Sequence, residues 1–176
     1  MTSASLNKQK ALLADLFSAK EETVMAALKK IPEEGTPEFI IPLLRAFKAW
    51  PHSTEVRAKV TFILYHLKTP EAVPELMKAL DEPDLQEEKA FILSVFWNSG
   101  HIPTDISALV HHALRGGYMA ALEVMTLLEQ MEDTADAEEA REASLDVQEY
   151  LDEHPNVEHG PMLAELNRTL IKLSNL

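Results

Sequence analysis

Paired histidines are the side chains whose type and position come closest to metal-binding chemistry in this sequence. Imidazole and carboxylate groups bind zinc or nickel when several of them converge on one point. His111 and His112 are neighbours inside an apolar pattern that predicts a helix. Successive side chains on a helix diverge by about 100 degrees, so these two cannot hold one ion together. We predict that one of them faces the core and the other faces solvent.

The segment 152–160 gathers a second group of such side chains in one predicted connection between helices. It contains His154, His159 and three carboxylates. Such a loop could collect Zn²⁺ or Ni²⁺, whereas the same composition is also typical of a solvated acidic connection. We predict no metal ion and no cofactor, and metal binding by this loop stays open as the alternative.

No set of catalytic side chains can be assigned from the sequence. The chain has no cysteine, which excludes thiolate catalysis, disulfides and cysteine-ligated zinc. No nucleophile, base and orienting group form a recognisable constellation. We predict that the protein is not an enzyme and has no catalytic residue.

The charge of the chain is strongly acidic and unevenly distributed. The 29 acidic and 16 basic side chains give a net charge of −13. Residues 132–158 hold eleven acids against the single base Arg141, a net charge of −10, which leaves −3 for the rest. Such a charge repels nucleic-acid phosphates and anionic membranes. The composition therefore disfavours nucleic-acid and membrane partners.

Helices are the elements predicted to position all of these residues. The chain has only five glycines, and its apolar residues lack the strict alternation of a half-buried strand. No apolar run approaches the roughly 20 residues that span a bilayer, and residues 1–8 lack the apolar core of a signal peptide. These features predict an all-α protein in the cytoplasm.

An internal repeat marks the starts of one set of helices. The triplet Thr-Pro-Glu at 36–38 recurs at 69–71, and Pro103 lies as far after Pro70 as Pro70 lies after Pro37. Proline in the first turn of a helix removes no hydrogen bond. We therefore predict a helix start at each of these three prolines.

A second set of helices follows at a constant spacing, and its apolar positions align from one helix to the next. We call this spacing the repeat interval; it is 32 residues, the difference in residue number between Leu28 and Val60. Aligned apolar positions at helical spacing share one face of each helix, which predicts that they are buried. The two best aligned rows are Leu28, Val60, Ile92 and Val124, and Ile31, Ile63, Val95 and Leu127.

Pairs of short helices at this interval resemble HEAT and armadillo repeats over roughly residues 20–131. The resemblance is carried by the repeated proline, the helix ending Leu-Met-Lys-Ala-Leu at 76–80, the acidic turn Asp-Glu-Pro-Asp at 81–84 and Glu-Val-Arg-Ala at 55–58. It implies an all-α, right-handed α-α superhelix (solenoid) of about five HEAT-like helix pairs.

The predicted organisation is a single domain over residues 1–176. It comprises an N-terminal capping pair (1–34), central repeats (35–131) and an acidic C-terminal capping pair (132–176). In the last pair, apolar spacing predicts helices over 137–151 and 162–173.

Enzymes built from HEAT-like repeats are alternatives that the resemblance raises. Deoxyhypusine hydroxylases bind iron through His-Glu pairs, and here no histidine is followed by glutamate. HEAT-like DNA glycosylases need a basic groove, which the acidic charge opposes. HEAT-like bilin lyases stay conceivable, although no corresponding site can be recognised.

The resemblance also implies that the second helices line an inner curve and present a partner-binding face. Phe62 and Phe91 stand out there, because exposed aromatic residues beside charged ones are typical of protein-binding hot spots. The alternative is that these rings pack on the next helix. The predicted partner-binding residues are Glu55, Lys59, Phe62, His66, Glu87, Phe91, Ser94, Asn98, Glu123, Thr126 and Gln130; Thr23, Ala27, Lys30 and Glu34 hold the equivalent positions of the first unit, and Met119 completes the row of Glu55 and Glu87.

Two functions of different class follow. In the first, the chain is a non-catalytic adaptor, scaffold or assembly factor that holds a protein partner in the concave face, as a monomer or weak dimer. In the second, it is an acidic inhibitor or immunity-like protein that covers a basic partner such as a nucleic-acid enzyme.

Overall fold

The computed structural model describes the backbone of residues 3–32 and 36–175, and side chains from Asn7 onward. All regular structure in these residues is helical, which confirms the predicted all-α class. Two 3-10 helices, Pro37–Phe39 and Pro83–Glu88, accompany the α-helices. The α-helices are α1 (Ser3–Leu16), α2 (Glu21–Leu28), α3 (Ile40–Ala49), α4 (Thr54–Tyr65), α5 (Ala72–Asp81), α6 (Lys89–Ser99), α7 (Ile106–Arg115), α8 (Gly117–Glu129), α9 (Ala137–Glu153) and α10 (Gly160–Leu173).

Side-chain caps fix the starts of three helices. A backbone N–H in the first turn has no partner within the helix, and an oxygen at the N-cap can accept it. Ser53 accepts from the backbone N–H of Val56 at 3.2 Å at the start of α4. Asp105 and Asp136 act in the same way on α7 and α9, at 2.7 and 2.9 Å.

The repeated prolines lie close to helix starts but do not all open an α-helix. Pro37 opens a 3-10 helix, whereas α5 begins two residues after Pro70 and α7 three residues after Pro103. At α7 the cap explains the difference, because Asp105 supplies the acceptor that the first turn needs. The predicted helix starts are therefore early by two or three residues.

The contacts divide the chain into two compact units, residues 1–88 and 89–176. In the first unit, α1 and α3 pack together, as do α3 and α5, while α2 packs against α4. Adjacent helices also pair, α1 with α2 and α3 with α4. The odd and even helices of this unit therefore form two layers. The predicted boundaries stay predictions, and the first of them, at residues 34 and 35, lies outside the described residues.

The second unit shows the same packing order. Helix α8 lies between α6 and α10, and α7 packs against α9. Neighbours along the chain pair as well, α7 with α8 and α9 with α10. The helices predicted over 137–151 and 162–173 are present as α9 and α10, and their role as a capping pair stays a prediction.

The aligned apolar rows form part of the core of each unit. Every member of the two predicted rows is at most 2% exposed. Leu64, Phe96 and Leu128, which have the same spacing, are completely buried and form a third row. The repeat interval therefore appears in side-chain burial as well as in residue type.

Arg45 ties α3 to the acidic turn that follows α5. Its Nε atom donates to Asp84 at 2.8 Å and its Nη2 atom donates to Glu82 at 2.8 Å. A hydrogen bond from the guanidinium holds the pKa of Asp84 below its usual range, and the same bond raises the pKa of Arg45. Lys48 also donates to the backbone carbonyl of Asp84. The acidic turn is thus bonded to two side chains of one helix.

Replacing Arg45 should weaken the first unit in a pH-dependent way. A forked, partly exposed pair contributes about 1 kcal/mol, so we expect Arg45→Ala to lower the free energy of unfolding by that amount at pH 7. Because the pKa of Asp84 is lowered by folding, this contribution is present above the ordinary carboxyl pKa of about 4 and is lost as the pH falls through the folded value. Urea unfolding of both proteins at pH 7 and pH 3 measures the difference. A difference that stays the same at pH 3 would assign the effect to alkyl packing of Arg45.

Candidate functional site

The solvent-facing side of α4 carries the first four predicted partner-binding residues. Val56, Val60, Ile63 and Leu64 are buried, which turns the opposite side of the helix outward. That side holds Glu55, Lys59, Phe62 and His66, at helical spacing. The structure therefore places these four residues on one accessible face, as predicted.

Phe62 is the centre of this face. Its side chain is 40% exposed, a large fraction for a phenylalanine. The ring stacks on His66 with 4.1 Å between ring centroids, and the Lys59 ammonium lies 5.0 Å from the Phe62 centroid. The Nδ1 atom of His66 lies 2.7 Å from the Phe62 carbonyl oxygen, which fixes the imidazole over the ring. An aromatic ring framed by a cation and an imidazole suits contact with a protein surface.

Helix α2 lies beside α4 and completes a shallow depression that the sequence did not predict. Met25 is half-buried and Ala26 is exposed, whereas the predicted Ala27 is buried and Glu34 lies outside the described residues. The prediction for α2 moved residues by the repeat interval, which makes Ala27 the equivalent of Lys59. That position borders the buried face, where a long lysine side chain reaches solvent and a methyl group does not. The depression, which we call the α2–α4 groove, has two adjoining parts that share Met25 and Glu55; together they are lined by Glu21, Glu22, Met25, Ala26, Lys29, Glu55, Ala58, Lys59 and Phe62.

In the second unit, α6 does not present the face that was predicted for it. Ser94 is only 7% exposed, and its hydroxyl donates to the carbonyl of Phe91 at 2.7 Å. Phe91 and Asn98 are half-buried, and the Asn98 amide donates to the carbonyl of Ser94 at 2.9 Å. The reason is that five consecutive residues, 92–96, are buried. A helix buried on several sides leaves Ser94 no surface for a partner.

The remaining predicted residues are dispersed. Glu123 accepts a hydrogen bond from the Trp97 indole at 2.7 Å, and Thr126 donates to the carbonyl of Leu122 at 3.1 Å. Gln130 is exposed just after the end of α8, and Glu87 is exposed in the 3-10 helix of the first unit. The bond to Trp97 makes Glu123 part of the packing between α6 and α8, whereas the bond of Thr126 lies within α8.

Helix α10 carries an exposed row that the sequence reasoning missed. Its members are Pro161, Glu165, Arg168 and Lys172, with an ion pair between Glu165 and Arg168. Each of them corresponds to a residue of α8; Pro161, for example, corresponds to Met119. The difference in residue number within such a pair is larger than the repeat interval. A search at the repeat interval could not find them. The matching buried residues of α8 and α10 show the same longer offset, and they are the signal that could have found the row.

The histidines do not form a metal centre in the described part of the chain. His111 is exposed and His112 is 4% exposed, which confirms the predicted inward and outward pair. In the connection after α9, His159 is buried and its Nε2 atom donates to the carbonyl of Leu114 at 3.2 Å. His154 instead stacks on Tyr150 at 4.3 Å. Over residues 3–32 and 36–175 no three histidine, aspartate or glutamate side chains are grouped to hold a metal ion.

Helix α9 presents five of the eleven acids of the segment 132–158 along one side. Ala140, Ala143 and Val147 are buried, and the opposite side carries five acids at helical spacing. Leu145 lies among them and is 61% exposed. Arg141 pairs with Glu138, and this bond lowers the pKa of the Glu138 carboxyl. The acids of this face are Glu138, Glu142, Asp146, Glu149 and Glu153.

Comparison with known proteins gives a negative result. No family model, curated protein or solved structure matches this chain. The interpretation of the α2–α4 groove therefore depends on its own geometry and chemistry. Among the described helices, none is both long and apolar enough to cross a membrane.

Proposed function

We propose that this chain is a HEAT-like helical-repeat solenoid that acts without catalysis, as an adaptor or assembly factor that binds a protein partner through the α2–α4 groove. The observation that carries the proposal is Phe62, a large aromatic side chain held in the open by His66 and Lys59 on the face opposite the α4 core. Aromatic anchors with a polar surround are the residues that dominate binding energy at protein interfaces.

The packing within each unit supports the repeat part of the proposal. Short helices that pair with their sequence neighbours and stack on the next helix but one bury a core that no single pair could close. Both units have this order of contacts, and buried residues recur at the repeat interval in both. Solenoids of this kind use one layer of helices as a binding surface.

The acidic face of α9 supports a second candidate, an inhibitor that covers a basic partner. Five carboxylates on one side of a helix attract cationic surfaces over long range, and exposed Leu145 adds an apolar contact at their centre. This candidate would bind through charge, whereas the α2–α4 groove would bind through Phe62 and its apolar neighbours.

Affinity capture from the native organism, followed by mass spectrometry, tests the proposal. Wild type, Phe62→Ala and the matched control Phe17→Ala serve as baits; Phe17 is 54% exposed but does not line the α2–α4 groove. Loss of a hot-spot aromatic costs about 2 kcal/mol, which weakens the affinity roughly 30-fold. With bait well below the Kd, we therefore expect the recovered partner to fall steeply for Phe62→Ala and to stay unchanged for Phe17→Ala.

A second arm of the capture at about 0.5 M salt separates the two candidates, because charges there are screened within a few ångströms. Binding through the α2–α4 groove should persist. A partner that is lost at high salt and recovered equally by wild type and Phe62→Ala would contradict the proposal and favour the acidic face of α9.

A further inference from the structure

Two small side chains lie among the residues that line the α2–α4 groove, one on each helix. Ala26 on α2 and Ala58 on α4 are exposed and small, so the backbone of a ligand can approach closely between the two helices. Met25 and Phe62 also line the groove and supply apolar contact. A shallow depression between two adjacent helices, with small and apolar residues between charged ones, is a surface that an amphipathic helix can cover with residues at i, i+3, i+4 and i+7.

The two ends of the groove carry opposite charge. Helices α2 and α4 begin side by side, because the hydroxyl of Ser53, the cap of α4, donates to the carboxylate of Glu21 in the first turn of α2. Glu21, Glu22 and Glu55 therefore lie together at the starting end. Lys29 and Lys59 line the groove further along the two helices. Lys20 is also exposed at the start of α2, although it does not line the groove.

This polarity determines which way a helix would lie. An isolated helix is stabilised by acidic residues in its first turn and basic residues in its last turn. Such a helix matches the groove only when its first turn lies over Lys29 and Lys59 and its last turn lies over the three glutamates. The dipole of the ligand helix alone would favour the opposite direction, but the full charges of its side chains outweigh the half charges at its two ends.

We propose that the α2–α4 groove binds an amphipathic helix of a partner protein, running antiparallel to α2 and α4, with acidic residues in its first turn and basic residues in its last. This inference rests on the proposed function and names the chemistry of its partner. From Glu21 to Lys29 the groove extends for about 12 Å at 1.5 Å per residue, so a ligand helix of two to three turns covers it.

A peptide display selection tests the direction and the charge order. The probe is a library of 16-residue peptides with leucine at i, i+3, i+4 and i+7 and with all flanking positions randomised among Glu, Lys, Gln and Ala. The bait is the full chain, with selection against Phe62→Ala. We expect the enriched peptides to carry acids before the first leucine and lysines after the last.

Charge-reversal variants then locate the contacts of a selected peptide. Against Lys29→Glu with Lys59→Glu, we expect affinity in a fluorescence-anisotropy titration to fall at least roughly tenfold, and to recover when the first-turn acids of the peptide are changed to lysine. Lys78→Glu on α5 is the matched control, since Lys78 is exposed and lies outside the groove. It should leave the affinity unchanged.

Two outcomes would overturn the inference. Enriched peptides with no charge order, or with affinity indifferent to the lysine reversals, would remove the oriented helix. A wild-type dimer in light scattering that Phe62→Ala converts to monomer would make a second copy the occupant. The enriched peptides can show the expected charge order while cellular capture is unaffected by Phe62→Ala; in that case only the proposed function fails. If capture depends on Phe62 but the enriched peptides show no charge order, only this inference fails.

Discussion

Ile63→Ala is expected to lower the free energy of unfolding by about 3 kcal/mol, whereas Phe62→Ala, one residue away, should lower it by less than about 1 kcal/mol. Deletion of buried aliphatic carbons removes their transfer free energy and leaves a cavity, which together cost about 2 to 5 kcal/mol. Ile63 is fully buried in the core of the first unit, while Phe62 is 40% exposed. Phenylalanine loses more carbon atoms than isoleucine in these substitutions. A larger loss of stability for Ile63→Ala would therefore reflect the burial of Ile63 and not the number of atoms removed.

Urea denaturation followed by far-UV circular dichroism measures both values. Thr61, the residue before Phe62 in the sequence, is only half-buried. The free energy of unfolding of Thr61→Ala should therefore lie near that of wild type. If Phe62→Ala proves as destabilising as Ile63→Ala, the ring is part of the core and the candidate binding face loses its central residue.

Gly116→Ala should destabilise the second unit by about 3 kcal/mol, at the upper end of the cost of overpacking. A methyl group at Gly116 would lie 2.4 Å from the Cβ of Ala120 and 2.7 Å from the carbonyl oxygen of His112. Neither atom belongs to a flexible side chain, so the turn between α7 and α8 must shift. The third contact, 3.0 Å to the Cδ of Lys89, is with a side chain that can adjust.

Gly100→Ala is the matched comparison, since Gly100 has a φ of +75 degrees but nothing within 4 Å of an added methyl. There the cost is the left-handed backbone alone, about 1 kcal/mol. Thermal unfolding by calorimetry gives both values. Equal effects at the two glycines would show that the close approach at Gly116 does not constrain the unit.

The helical elements could be predicted well because their signals are local. Apolar spacing located the closing pair to within a few residues, and the matched rows through Val60 and Ile92 are buried as expected. Helix starts were less accurate because a cap such as Asp105 competes with a proline shortly before it. Such competition depends on backbone geometry that residue types alone do not specify.

The candidate face was predicted only in part, for a physical reason. The repeat interval predicts the buried positions of one helix from those of another, because every helix must bury a similar apolar stripe. It does not carry over the exposed positions, because helices differ in how many sides are covered. Ser94 on the widely buried α6 is covered for this reason, and Ala27 is covered because its side chain is short, whereas Phe62 on α4 is exposed as predicted. The α10 row required a different offset and was missed.

The measurement that tests the central claim most directly is a calorimetric titration of the captured partner into purified wild type and Phe62→Ala, with the unfolding free energy of each protein determined alongside. If the exposed ring serves binding, the Kd should rise roughly 30-fold while the stability changes by less than about 1 kcal/mol. Equal Kd values for the two proteins would contradict the account, and so would a loss of binding that is matched by a loss of folding.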